Sequence, residues 1–133
     1  MSGKRKSKAQ LTPLELRIMQ VLWTAGPSNV QAVQAGLKEE LAYTTVQTML
    51  NVLERKGHVK RRLVGRAYEY RPLQTREVAQ GSAVSDLLNR LFDGSAEDLV
   101  MNMVRSKQVD GAKLAELARK ISIAEEEAYA DSE

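Results

Sequence analysis

Apolar residues recur at helical spacing through most of the chain, interrupted by one short interval of strand-like alternation. Leu14, Ile18, Met19 and Leu22 form the first stripe. It is preceded by Thr12, Pro13 and Glu15, a T-x-x-E capping box with proline at the first helical position. Gly26-Pro27 closes this helix. Ser28 is expected to start a second, with Gln31 in the capping-box position and Val30, Val33 and Leu37 on its apolar face. A third helix is predicted over residues 43–56. Val46, Leu50 and Leu53 face inward, and Gly57 supplies a left-handed cap. Val59 to Val64 and Ala67 to Arg71 then read as a hairpin about Gly65-Arg66, with Tyr68 and Tyr70 on one face and Pro72 as its stop.

The second half returns to helical periodicity. Val84, Leu87, Leu88, Leu91 and Phe92 make one stripe, closed by Gly94. Ser95 and Asp98 form a further capping box ahead of Leu99, Val100, Met103 and Val104. Asp110 caps a last helix carrying Leu114, Leu117, Ala118 and Ile121, and Glu125 to Glu133 is an acidic, frayed tail. The fold class is therefore mainly α with a small β-hairpin. The expected organisation is a basic arm over residues 1–10, a three-helix-plus-hairpin domain over 11–73, a helical domain over 74–124 and a tail over 125–133.

Charge sharpens this division. Residues 1–76 carry 14 Lys and Arg against 5 Asp and Glu, whereas residues 77–133 carry 6 against 12. A basic first half points to a polyanionic partner and an acidic second half to a different task. The basic arm, with Lys4, Arg5, Lys6 and Lys8, is expected to be a solvated tail. The chain has no cysteine, which removes disulfides, thiolate metal sites and cysteine catalysis and fits a reducing cytoplasm. No apolar run is long enough to insert in a membrane.

Helix, helix, helix and basic hairpin, in that order, is the plan of a winged helix-turn-helix. The outer face of the third helix is polar but uncharged: Thr44, Thr45, Gln47 and Thr48, with Asn51 at its edge. Threonine is a poor helix former, so its clustering here costs local stability. Short hydroxyls, methyls and an amide suit the major groove, where each base pair shows a distinct donor and acceptor pattern. Arg55, Lys56, Lys60, Arg61, Arg62 and Arg66 on or beside the hairpin supply phosphate-neutralising charge, and Arg66 at the tip is also placed for a minor groove. The apolar residues Leu87, Leu88, Leu91, Phe92, Leu114, Leu117 and Ile121 are too many for helices lying free in water. A second copy is their expected cover, giving a homodimer on a double-stranded, palindromic operator.

Other functional classes fit less well. His58 is the single histidine and sits at the helix-to-wing junction. The sequence has no glycine-rich phosphate loop and no cluster at metal-ligand spacing, so neither an enzyme nor a metal or other cofactor is expected. Trp23 reads as core or inter-domain packing. The alternatives are a winged protein-interaction module, which would bind DNA weakly and without selectivity, and a regulator holding a small molecule between its two halves.

The chain also resembles the penicillinase and methicillin-resistance repressors, a group that includes copper-responsive repressors. The resemblance spans about residues 10–122. It is carried by Leu11-Thr12-Pro13-Leu14-Glu15 through Val21-Leu22-Trp23, by Tyr43-Thr44-Thr45-Val46-Gln47-Thr48, by Leu53-Glu54-Arg55-Lys56-Gly57, and by the wing Gly65-Arg66-Ala67-Tyr68-Glu69-Tyr70. Leu91-Phe92-Asp93-Gly94 and Leu99-Val100-Met101-Asn102 extend it. The resemblance implies a cytoplasmic homodimeric repressor with an N-terminal winged domain and C-terminal dimerisation helices. It also implies release by a membrane sensor protease that responds to a β-lactam and cuts after the asparagine matching Asn102. Met103 follows here, where the characterised repressors carry phenylalanine. The copper-responsive members carry a C-terminal cysteine motif, which this chain lacks.

Overall fold

Helix α1, Pro13–Ala25, begins with the local chemistry its sequence predicts. The Thr12 hydroxyl accepts the Glu15 N–H at 3.2 Å, and the Glu15 carboxylate accepts the Thr12 N–H at 2.9 Å. Two donors that a helix start leaves unpaired are thereby satisfied. At its end Gly26 turns to φ 86° and donates to the Leu22 carbonyl. These features belong to a computed structural model, which describes residues 10–132; all but Gln10 of the basic arm lies outside them.

The next segment departs from the expected helix start at Ser28. Ser28–Asn29 form a short strand, β1, and α2 covers Val30–Gly36. Asn29, not Ser28, is the N-cap: its side-chain oxygen accepts the Ala32 N–H at 2.8 Å. Gln31 therefore holds no capping-box position. The Ser28 hydroxyl donates back to the Gly26 carbonyl at 2.8 Å, and Ser28 pairs in the sheet opposite Tyr70. With side chain and backbone both engaged, Ser28 cannot cap. Gly36 permits α2 to approach α1, since a Cβ there would lie 2.8 Å from a Val21 methyl.

Helix α3 spans Tyr43–Arg55. It closes in a Schellman motif, in which His58 N–H donates to the Leu53 carbonyl and Gly57 N–H to Glu54, with Gly57 at φ 87°. This cap turns the chain into β2, Val59–Val64, which pairs antiparallel with β3, Ala67–Pro72. The sheet order is β1-β3-β2. β3 ends at Pro72, which is its last residue and pairs opposite Val59. The core combines Ile18, Met19 and Leu22 of α1 with Val33 of α2, Val46, Leu50 and Leu53 of α3, and Val59 and Tyr70 of the sheet.

The chain divides into two units between Gly81 and Ser82, inside helix α4, Arg76–Leu91. Helices α5, Ala96–Arg105, and α6, Gly111–Ser132, follow. The expected caps form at Ser95, which accepts the Asp98 N–H, and at Asp110, which accepts the Lys113 N–H. Ser95 makes only half of a capping box, because its own N–H goes to the Phe92 carbonyl. The acidic stretch expected to fray continues α6 as helix to Ser132. None of α4, α5 and α6 contains a buried residue.

Candidate nucleic-acid interface

The packing of α3 decides which of its side chains face outward. With Val46, Leu50 and Leu53 fully buried, Thr44, Thr45, Gln47 and Thr48 stand exposed along the opposite side. Ala42 at the N-cap has no side-chain acceptor for the first-turn N–H groups, so the positive end of α3 can take an outside acceptor such as a phosphate. Gln47 lies at the margin of a concavity of about 190 Å³ shared by α2, α3 and the hairpin, which Asn29, Gln31, Tyr43, Arg66 and Tyr68 also line. The polar face of α3 and the basic hairpin tip therefore border one hollow.

The hairpin is braced against α3 by residues that the sequence alone assigned to DNA. The Tyr70 hydroxyl donates to the Asn51 side-chain oxygen at 2.9 Å. Burial raises the pKa of Tyr70, more than the neighbouring Arg61 lowers it, so the phenol remains a donor. Arg61 donates its N–H to the Glu54 carboxylate at 3.1 Å, its guanidinium pairs with that carboxylate at 3.4 Å, and it stacks 4.3 Å over the Tyr68 ring. Asn51 and Arg61 thus hold the wing in position.

Lys56 is engaged further inside. Its ammonium lies 2.8 and 2.9 Å from the two oxygens of the buried Glu15 carboxylate, joining the end of α3 to the start of α1. Burial pushes the Glu15 carboxyl up. The bonds from Lys56 and Thr12, together with the Lys56 charge, outweigh it and hold the group below its ordinary value.

The remaining candidates, Arg55, Lys60, Arg62 and Arg66, are exposed. Strand register adds one that sequence reasoning missed. Arg71 stands directly opposite Lys60, and Arg62 lies opposite Glu69 on the same face of the hairpin. Three cations share that face with one carboxylate, and Arg62 approaches it only to 3.9 Å. Like charges directly opposite destabilise a strand pair, a cost that a polyanion removes. The alternation of β3 was the signal for Arg71, since it puts Arg71 on the face that Tyr68 and Tyr70 do not occupy.

Trp23 is half-buried, as expected of a packing residue. Its indole N–H donates to the Gln74 carbonyl at 2.9 Å, and Arg76 lies over the ring while bonding Thr24. Of the apolar candidates in the second half, Leu91 is 74% exposed and Ile121 56%. Leu87 and Leu117 are also exposed, whereas Leu88, Phe92 and Leu114 are half-covered. Asn102 and Met103 lie exposed in α5, and the Asn102 carbonyl accepts both the N–H and the hydroxyl of Ser106 at 2.8 Å. Among the described residues no group of acidic or histidine side chains is placed to hold a metal ion, and no helix is long and apolar enough to cross a membrane.

Comparison with known proteins gives a consistent result. The penicillinase repressor family matches residues 11–123. The penicillinase repressor of Bacillus licheniformis is 29% identical over 115 residues, 84% of this chain and 89% of the relative. The transcriptional regulator BlaI of Mycobacterium tuberculosis is 33% identical over 107 residues, 77% of this chain and 78% of the relative. The solution structure of monomeric Bacillus licheniformis BlaI in complex with the blaP half-operator aligns at a TM-score of 0.47 and 29% identity, over 53% of this chain and 89% of that one.

Proposed function

Because the chain belongs to the penicillinase repressor family, a family of DNA-binding transcriptional repressors and not of enzymes, we propose that it acts in the cytoplasm as a homodimer on palindromic operators. The observation that carries this reading is the pairing of an uncharged polar face on α3 with a cationic face on the adjoining hairpin. In the proposed complex Thr44, Thr45, Gln47 and Thr48 meet base edges in the major groove. Lys60, Arg62, Arg66, Arg71 and Arg55 meet phosphates, which set position and register without reading sequence. The Bacillus licheniformis relative has been solved on a half-operator, and a half-operator implies a second half-site for a second protomer.

The second protomer answers the exposure of α4 to α6. Helices that bury nothing of their own have apolar stripes left over for a partner. Linking two half-site contacts raises affinity through effective concentration, without any new contact to DNA.

For induction, the proposal is that the repressor controls β-lactam-response genes and is released by a membrane sensor protease cutting between Asn102 and Met103. Both residues are exposed, which supports access. The bond lies in a regular helix whose Asn102 carbonyl is doubly engaged by Ser106, so this turn must unwind before cleavage. Mass spectrometry on the chain from induced cells should find a fragment starting at Met103. An intact chain under full derepression would refute the cleavage step.

The DNA reading is tested by gel-shift titration against the protein's own promoter and a scrambled control at several salt concentrations. Selective retention by about a thousandfold or more is the expected result. Equal, steeply salt-dependent binding to the promoter, the control and a library of genomic fragments would overturn it.

A further inference from the structure

We propose that α6 pairs antiparallel with α6 of a second copy of this chain, in a seam centred near Ile121, with the basic start of one helix beside the acidic end of the other. The inference rests on the homodimer reading above and deepens it.

The apolar stripe of α6 comprises Leu114, Leu117 and Ile121, and continues through Ala124 and Ala128. Ile121 is more than half exposed, and no residue of α6 is buried. The charges of α6 are segregated along the helix. Lys113, Arg119 and Lys120, against Glu116, occupy its first half, and Glu125, Glu126, Glu127 and Asp131, with no cation, its second. This order opposes the helix dipole, which favours carboxylates at the N-terminus and cations at the C-terminus. Alone, α6 bears that cost. Lys113 and Lys120 both turn to Glu116, at 3.4 and 3.5 Å. Among the described residues, the four later carboxylates make no ion pair within the chain.

An antiparallel partner removes the mismatch. With Ile121 facing Ile121, Leu114 faces Ala128. Lys113, beside the stripe, then lies within a turn of Glu127 and Asp131 of the second copy. A parallel pair would set cation beside cation and carboxylate beside carboxylate. Antiparallel packing also opposes the two helix dipoles. All four carboxylates lie past residue 123, where the family match ends.

The absence of cysteine makes the test clean. Leu114→Cys and Ala128→Cys are made in separate full-length chains, mixed, oxidised, and sized by analytical ultracentrifugation before and after. The antiparallel seam predicts a disulfide between the two variants. It predicts none in Ala128→Cys alone, whose two sites would lie about 21 Å apart along the seam, far beyond disulfide reach. A linked dimer of Ala128→Cys alone would show a parallel seam and overturn the proposal while the homodimer stood. A dimer that never cross-links at any of these sites would overturn it equally. A monomer throughout would remove both the proposal and the homodimer reading. In a second measurement, the triple variant Glu125→Lys/Glu126→Lys/Glu127→Lys should self-associate at least tenfold more weakly at low salt. Adding Lys113→Glu/Arg119→Glu/Lys120→Glu to the same chain should restore association. Unchanged association of the first triple variant would overturn the charge pairing.

Discussion

The two units use the same residue types in opposite ways. Every buried apolar side chain among the described residues lies between Ile18 and Tyr70, and α4 to α6 contribute none. The first unit closes its core within one chain and keeps its polar α3 face and cationic hairpin for a partner. The second leaves its apolar stripes uncovered. The difference teaches that the two associations are of different kinds. DNA would meet a preformed surface, whereas the protein partner would complete a core. The 10-residue α5 is too short to hold alone in water, so its order would be coupled to the association proposed for the second unit.

The largest effect should separate the cores. Leu50→Ala, at a fully buried site, should cost about 3–4 kcal/mol in denaturant unfolding of the first unit, whereas Leu91→Ala, at a largely exposed one, should cost that unit nothing measurable. Equal losses would erase the distinction between the units. Next in size, Leu117→Asp should weaken self-association by roughly a hundredfold or more, about 2–4 kcal/mol, with the unfolding of the first unit unaltered. Light scattering that still shows the wild-type dimer would place the seam elsewhere.

Within the first unit, Gln47→Ala should relax base preference by about 1–3 kcal/mol at one operator position. Competition binding with singly substituted operators checks this, and retained discrimination would move the reading face. Glu15→Gln should cost about 1–2 kcal/mol, because Lys56 loses a charge-assisted bond. The Glu15 carboxyl is held below its ordinary value of 4.5, so its contribution is complete above that pH and is lost as the pH falls through the lowered value. Acid unfolding curves of Glu15→Gln should therefore lose that part of their pH dependence. The smallest effect is expected of the outer hairpin face. Arg71→Ala should weaken binding uniformly across sequences and reduce the salt slope by about 1. An unchanged slope would mean that this face does not meet phosphate.

Much of the fold was legible because its signals are local. A capping box acts over three residues, as at Thr12 and Glu15, and an apolar stripe over a few turns, as at Val46, Leu50 and Leu53. The polar face of α3, the candidate site, was legible for the same reason: periodicity alone set Thr44, Thr45, Gln47 and Thr48 opposite the buried face. What misled was competition from distant residues. Ser28 carries a good capping side chain, but pairing opposite Tyr70 drew its backbone into a strand, and Asn29 took over the cap.

The sequence by itself determined the helices, the hairpin, the polar face of α3 and the contrast between a basic and an acidic half. Each depends on neighbours within a turn or a strand, or on composition. Only the tertiary structure decided which polar groups remain available to a partner. Lys56 is joined to a carboxylate 41 positions away, and Asn51 to a phenol 19 positions away. Arg71 is set against Lys60 by strand register. Such pairings depend on where the backbone brings distant residues together, and periodicity carries no information about that.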